Sequence, residues 1–223
     1  MKLFESLPER DEKWSGRGFM LPAAIFISIA LICSAIFPRE DIHIFINNFH
    51  TEYLDALMKG WTFLGDGAYV LIIIALFLFI RLRFFFIVFS SYAISGILSQ
   101  ILKRTLFSGI PRPVKYFELN NIEYNLYLVP GVDIHSWYSF PSGHTATAFG
   151  VFFGISLFLR SELLQLLCFV AAAGVGYSRI YLSEHFLVDV AGGAIIGMAS
   201  AILSYWWLRR YRTSWMDKPV HRI

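Results

Sequence analysis

Charged residues are scarce in this 223-residue sequence. Asp, Glu, Lys and Arg make up 16% of it, whereas a soluble domain carries about 25%. Hydrophobic residues account for 57% and the mean hydropathy is +0.57. This composition predicts an integral membrane protein. The net charge of +3 is too small to indicate a nucleic-acid partner.

The sequence also has few groups that could hold a metal ion. Its two cysteines, Cys33 and Cys168, lie in apolar runs, and we interpret them as small core residues rather than a disulfide pair. No group of His, Cys, Asp and Glu has the spacing of a metal site. We therefore expect a metal-independent protein without a cofactor. No cleavable signal peptide is apparent, because the first residues are largely polar.

Six apolar stretches are long enough to cross a bilayer or most of it. A hydrocarbon core of about 30 Å needs about 20 helical residues. The stretches cover residues 19–37, 61–80, 84–102, 144–159, 163–181 and 186–208. The sequence thus predicts an all-α polytopic protein, with six transmembrane helices in one bundle between tails at 1–18 and 209–223. Residues 42–59 are amphipathic, which is typical of a segment at the membrane surface.

The distribution of basic residues predicts the orientation. Six spans place both termini on one side, and 12 of the 19 Lys and Arg residues fall there. By the positive-inside rule this side is cytoplasmic. We expect a protein of the plasma (inner) membrane whose polar residues at the other helix ends face the periplasm or the exterior.

His185 and Asp189 stand at the start of the last apolar stretch, where polar groups are costly unless they have a role. Four residues apart, they share one face of a helix. The carboxylate could fix the imidazole tautomer and leave the other ring nitrogen nucleophilic. A purely structural His–Asp pair explains the spacing equally well.

Ser142, Gly143 and His144 open the fourth stretch. Backbone N–H groups at a helix start lack partners, and the helix dipole there favours anions. Ser142 and Gly143 could offer N–H donors to a phosphate, with His144 placed to protonate a leaving oxygen. The alternative is an N-cap serine followed by a histidine at the membrane surface.

Three basic residues could complete an anion site. Arginine matches phosphate oxygens in pairs and lysine acts as a point charge. Arg179 lies at the end of the fifth stretch, and Arg112 stands between two prolines that fix its backbone. For Lys103 and its neighbour Arg104, the alternative is a basic side chain that reaches from a helix end to the membrane surface.

Several other polar or small residues have simpler expected roles. Four histidines have no evident partner and are expected to be interfacial or solvated: His43, His50, His135 and His221. Asp66 in Gly-Asp-Gly is expected at a turn. Gly193 and Gly197 predict ordinary close packing of two helices.

Two motifs resemble known signatures. Pro-Ser-Gly-His at 141–144 and Ser-Arg-x5-His-x3-Asp at 178–189 resemble the second and third signatures of the type-2 phosphatidic acid phosphatase (PAP2) superfamily. These membrane enzymes share their site with vanadium haloperoxidases. The first signature, Lys-x6-Arg-Pro, is matched at Arg112 and Pro113, but Thr105 stands in place of the lysine. Lys103 or Arg104 must fill that role, and we favour Lys103.

The resemblance implies a two-step displacement at phosphorus. His185 attacks to form a phosphohistidine and Asp189 orients it, while His144 protonates the departing lipid oxygen and then activates water. The groups implied to hold the phosphate oxygens are Lys103, Arg112, Ser142, Gly143 and Arg179.

The resemblance also implies the substrate class. We expect removal of a terminal phosphate from a lipid phosphate or diphosphate at the outer leaflet, with undecaprenyl diphosphate preferred over lipid A, phosphatidylglycerophosphate or phosphatidate. The expected partners are the lipid substrate and the bilayer, and no protein partner is predicted. A lipid phosphotransferase, a vanadate-dependent peroxidase and a non-enzymatic binder of anionic lipids are the alternatives.

Overall fold

The computed structural model describes residues 16–211 and 213–222, and the regular structure in these ranges is helical. The all-α prediction is therefore confirmed for this part of the chain, while residues 1–15 of the predicted N-terminal tail lie outside it. The α-helices are α1 (Arg17–Ile36), α2 (Arg39–Asn47), α3 (Glu52–Trp61), α4 (Gly67–Leu76), α5 (Leu82–Thr105), α6 (Pro113–Leu119), α7 (Gly143–Ser156), α8 (Glu162–Tyr181) and α9 (Leu187–Leu208).

Four helices within these ranges are long and apolar enough to cross a membrane: α1, α5, α8 and α9. A fifth crossing is possible if Glu52–Gly65 and Gly67–Phe79, bent by 61° at Asp66, act as one span. Asp66 accepts a hydrogen bond from the Ala68 N–H and begins α4, so it is the turn residue that the sequence predicts. The six predicted spans are thus only partly found.

The fourth predicted span, 144–159, corresponds to α7, which is the central helix of the bundle. Its 14 residues extend about 21 Å, less than the hydrocarbon thickness of about 30 Å. Helices α5, α8 and α9 pack around it, and it buries Phe149 and Phe153 against Phe19 of α1. Its neighbours, rather than lipid, cover most of α7.

Small residues bring α7 and α9 unusually close. A Cβ atom at Gly193 would lie 2.5 Å from the Ser142 carbonyl oxygen, and one at Gly197 would collide with the Ala146 carbonyl oxygen. The predicted close packing at these two glycines is confirmed. This contact holds the segment before α7 against the first turns of α9.

Arg83 attaches the end of the chain to the start of α5. It is 3% exposed, donates to the carbonyl groups of Leu208 and Tyr211 and pairs with Asp217 at 2.9 Å. The positive-inside count treats Arg83 as a solvated loop charge, whereas the structure uses it to fold the segment after α9 back onto the bundle.

Candidate active site

The predicted site residues meet at one end of the bundle. Lys103 lies in the last turn of α5 and Arg179 in the last turn of α8, while His144 and Asp189 lie in the first turns of α7 and α9. The long connection between α5 and α7 returns to the same end with Arg112. Each charged or polar group is thus at a helix end or in a loop, which keeps the apolar helix centres free of charge.

His185 and Asp189 face each other in the interior, each 1% exposed. Nδ1 of His185 lies 3.5 Å from Oδ2 of Asp189, beyond the usual length of a hydrogen bond, and it has no hydrogen-bond partner among the described residues. The same oxygen accepts from the Ser139 hydroxyl at 2.5 Å and from the Phe186 N–H at 2.9 Å. The carboxylate therefore caps the first turn of α9 and lies next to the imidazole, while its orienting role stays a prediction.

The surroundings keep His185 neutral. Its pKa is lowered well below the usual value, first by burial and then by the positive charges of Arg112, Lys103 and Arg179. His144 acts in the same direction. A neutral imidazole is the nucleophilic form, and the groups that lower this pKa come from four separate segments of the chain.

Burial distinguishes the two candidates for the first-signature base. Lys103 is 6% exposed, whereas the next residue, Arg104, is exposed to the surroundings of the bundle. The charge of Lys103 acts on both His185 and His135. The position of Lys103 therefore fits the predicted role, which stays a prediction.

Arg112 is fixed by three contacts, one from its backbone and two from its guanidinium group. Its backbone N–H donates to the Ser136 carbonyl at 2.9 Å, its Nε donates to the Trp137 carbonyl at 3.0 Å, and its Nη1 pairs with Glu184. Burial lowers its pKa to about 10, with Asp189 opposing the change. The guanidinium is therefore still charged at neutral pH.

Arg179 keeps a donor free. It is 7% exposed, its Nη1 donates to the Thr62 hydroxyl at 2.8 Å and its Nη2 lies 3.3 Å from Oε2 of Glu184. Its buried Nε has no hydrogen-bond partner among the described residues. Buried donors are rarely left unpaired, so this nitrogen marks a place for the oxygen of a ligand.

The start of α7 departs from the expectation at one residue. The Ser142 N–H donates to the Asp189 carbonyl at 3.0 Å, so the prediction that this N–H faces a phosphate is wrong. The Ser142 hydroxyl caps the helix by accepting from the Thr145 N–H. Within the described ranges, the N–H groups of Gly143 and His144 have no hydrogen-bond partner, and they remain available to an anion.

Sequence reasoning missed Glu184. This residue is 1% exposed, and its carboxylate contacts Arg112, Arg179 and Nδ1 of His135, the last at 3.2 Å. It occupies one of the five unspecified positions of the Ser-Arg-x5-His motif. The available signal was an acidic residue directly before His185, beside the last apolar stretch.

Three of the four histidines expected to lack partners have them. His43 is buried, with Nε2 3.1 Å from the Ser183 hydroxyl, and burial followed by the charge of His50 lowers its pKa to about 4. His50 contacts two backbone carbonyl groups, and His135 contacts the buried carboxylate just described. The expectation is wrong for His43, because it is buried against a partner 140 residues away in the chain, whereas His135 and His221 are exposed as expected.

The chain shares local sequence with two named bacterial proteins. It is 41% identical over 68 residues to the bacitracin transport permease protein BcrC of Bacillus licheniformis, covering 30% of this chain and 32% of that protein. It is 39% identical over 70 residues to the lipid A 1-phosphatase of Porphyromonas gingivalis, covering 30% and 16%. The chain therefore matches a third or less of the length of these two relatives.

The fold and the family model give wider coverage. The crystal structure of Aquifex aeolicus LpxE is similar with a TM-score of 0.65 and 26% identity, covering 74% of this chain and 93% of that one. Residues 84–213 match the model of the PAP2 superfamily, which is more than half of the 223 residues. This match contains every predicted site residue, and the chain belongs to the PAP2 superfamily.

Proposed function

We propose that this protein is a metal-independent membrane phosphatase that removes the terminal phosphate of a lipid phosphate or diphosphate through a phosphohistidine. The observation that carries the proposal is a buried, neutral His185 that faces Asp189 and is surrounded by the charges of Lys103, Arg112 and Arg179. A nucleophile, an orienting carboxylate and fixed cations are what phosphoryl transfer needs.

The first step forms the phosphohistidine. Nε2 of His185 attacks phosphorus while the bond from phosphorus to the lipid oxygen breaks, and His144 gives that oxygen a proton. The imidazole gains positive charge as the N–P bond forms. Asp189 stabilises this charge, and its carboxylate is held for the task by Ser139 and the Phe186 N–H.

The second step returns the enzyme to its starting state. Water attacks phosphorus, His144 accepts a proton from the water, and the N–P bond breaks to release neutral His185 and inorganic phosphate. Lys103, Arg112, Arg179, the Ser142 hydroxyl and the Gly143 N–H stabilise the charge on the phosphate oxygens in both transition states.

The test is phosphate release by the purified protein in detergent. Replacing His185 by Gln removes the nucleophile and is expected to lower kcat at least about 1,000-fold, while the exposed His221→Gln serves as the control. Labelled substrate should mark the wild type after a rapid base quench, which preserves the acid-labile N–P bond, and leave His185→Gln unmarked. Label retained on His185→Gln, or loss of wild-type activity with a chelator, would contradict the mechanism.

Among the substrates we favour undecaprenyl diphosphate. Arg39 lies over the rings of Tyr116 and Phe186, 5.0 and 5.5 Å from their centroids, and lines a crevice of about 410 Å³ together with Leu187. A further cation beside the segment of His185 suits a second phosphate group. Arg39→Gln should therefore slow hydrolysis of a diphosphate more than that of a monophosphate.

Lipid A is the second candidate substrate, because one relative is named a lipid A 1-phosphatase. A panel containing undecaprenyl diphosphate, lipid A and phosphatidylglycerophosphate separates the candidates by kcat/KM. A lipid phosphotransferase using the same intermediate would give a phosphorylated acceptor lipid instead of free phosphate.

The orientation is also part of the proposal. Both tails are cytoplasmic, α7 forms the fourth of six crossings, and the site faces the periplasm or exterior of the plasma (inner) membrane. The excess of basic residues in the tails and in the loops on their side supports this orientation.

A further inference from the structure

Glu184 is a buried carboxylate shared by two arginines from different parts of the chain. Oε2 contacts Nη1 of Arg112, from the loop between α5 and α7, and lies 3.3 Å from Nη2 of Arg179 in α8. Oε1 lies 3.2 Å from Nδ1 of His135. Because Glu184 is 1% exposed, its charge is stable only with such partners.

The Glu184 carboxylate offsets a repulsion between Arg112 and Arg179 that acts when no phosphate is bound. The guanidinium groups of Arg112 and Arg179 are close enough to share one oxygen, and like charges at that separation repel strongly in a buried site. Glu184 offsets this repulsion and ties the loop to α8. It does so without using every donor, because Nε of Arg179 has no partner in the described part of the chain.

We propose that Glu184 is a positioning residue of the phosphate pocket, which holds the two arginines together when the pocket is empty and competes with bound phosphate for them. This inference rests on the proposed phosphatase function. Glu184 does not touch the reacting atoms. It re-forms its ion pairs as phosphate leaves, and thereby limits how tightly the product is retained.

The charges of the pocket show why such a competitor is useful. Three cations, Lys103, Arg112 and Arg179, surround the place where the phosphate dianion forms, and they act in a region of low dielectric constant. Without a compensating negative charge they would hold the product as firmly as they hold the transition state. Strong binding of this kind lowers KM and slows product release rather than raising kcat.

Glu184→Gln separates the charge of this residue from its position. The amide oxygen can keep both arginine contacts, and the amide NH₂ can donate to Nδ1 of His135. This requires a neutral His135, and its pKa is lowered by burial and then by the charges of Arg112 and Arg179. Glu184→Asp makes the opposite change, since it keeps the charge and withdraws it by one methylene.

The experiment measures the Kd of inorganic orthophosphate by titration calorimetry, with the full-length protein in detergent. Glu184→Gln should bind phosphate at least about tenfold more tightly than the wild type, with a lower kcat and a lower KM in phosphate release. Glu184→Asp should bind phosphate no more tightly and should lose kcat. The matched control is Glu118→Gln, an exposed glutamate that pairs with Lys115, and it should change neither quantity.

The inference is overturned if Glu184→Gln retains its melting temperature and binds phosphate with wild-type affinity or more weakly. It is also overturned if Glu184→Gln and Glu184→Asp lose stability and phosphate affinity to the same extent, which is the result of a purely structural ion pair. Failure of the proposed function is a different result, in which the wild type binds orthophosphate but releases none from any lipid phosphate.

Discussion

At the scale of single residues, the site is defined by which charges are buried and which are not. Lys103 and Arg104 are adjacent, yet only Lys103 turns into the bundle. The sequence motif leaves the choice between them open because neither has the family spacing. The structure separates them, since adjacent residues on a helix point about 100° apart, and the buried position favours Lys103.

This difference predicts unequal effects of two neighbouring substitutions. Lys103→Ala removes a buried charge from the pocket and should lower kcat/KM by about 100- to 1,000-fold. Arg104→Ala should change kcat/KM by less than about threefold, because an exposed charge is well screened. Phosphate release by the two purified variants measures both effects. Equal losses would show that the assignment of the base is wrong.

His43 predicts a dependence of stability on pH. Its pKa in the folded protein is about 4, against a usual value of 6.5. The unfolded chain therefore binds the proton more readily, and stability falls as the pH drops from 6.5 towards 4. At pH 5 this residue alone should remove about 2 kcal/mol relative to neutral pH.

The measurement is the unfolding temperature in detergent between pH 7.5 and 4.5. His43→Gln, which cannot titrate, should flatten that part of the profile, while His221→Gln should leave it unchanged. Identical profiles for His43→Gln and the wild type would refute the assignment of the effect to His43.

At the scale of helices, the sequence predicts long apolar elements well and their interruptions poorly. Helices α1, α5, α8 and α9 lie within a few residues of the predicted spans, because apolar runs of this length have few alternatives to a helix in a membrane. The turn at Asp66 and the position of α7 were predicted, but the size of the 61° bend and the burial of α7 among other helices could not be read in the same way. Both depend on packing against other helices rather than on local composition.

The packing of α7 against α9 predicts a position that is intolerant of a single methyl group. A Cβ at Gly197 would meet backbone atoms of α7, which cannot rotate away, so Gly197→Ala should destabilise the protein by about 1–3 kcal/mol. Gly96→Ala is the matched control, since a Cβ there meets no atom within 4 Å. It should be neutral or stabilise α5 by about 0.5–1 kcal/mol.

Denaturation in mild detergent compares these two variants with the wild type. Equal stability of Gly197→Ala and Gly96→Ala would contradict the close approach of α7 and α9.

At the scale of the whole molecule, the catalytic end and the opposite end of the bundle should lie on different sides of the membrane. Asn125 is exposed in the loop before α7, and Ser161 is exposed in the turn between α7 and α8. In a background without Cys33 and Cys168, a membrane-impermeant maleimide should label Asn125→Cys from outside and should leave Ser161→Cys unlabelled until the membrane is opened. The reverse pattern would invert the proposed orientation.

The whole site was only partly predictable from the sequence, for a physical reason. His185 and Asp189 belong to one motif and are four residues apart, so helical geometry alone predicts that they lie close together. Ser139 and Glu184 contribute contacts across 50 and 72 residues, and a single sequence contains no signal that joins them. The catalytic set could be proposed in advance, but the residues that hold this set in place required the structure.

Asp189 serves two loops at once, and this affects how its variants should be interpreted. Its carboxylate receives Ser139 and the Phe186 N–H, while its backbone carbonyl receives the Ser142 N–H. Asp189→Asn would therefore remove the group that orients His185 and could also shift the loop that carries Ser139. A loss of activity in this variant would not show which of the two effects caused it. Ser139→Ala separates the two effects better, because it removes one hydrogen bond to the Asp189 carboxylate. The charge of Asp189, its backbone hydrogen bond and His185 all stay unchanged.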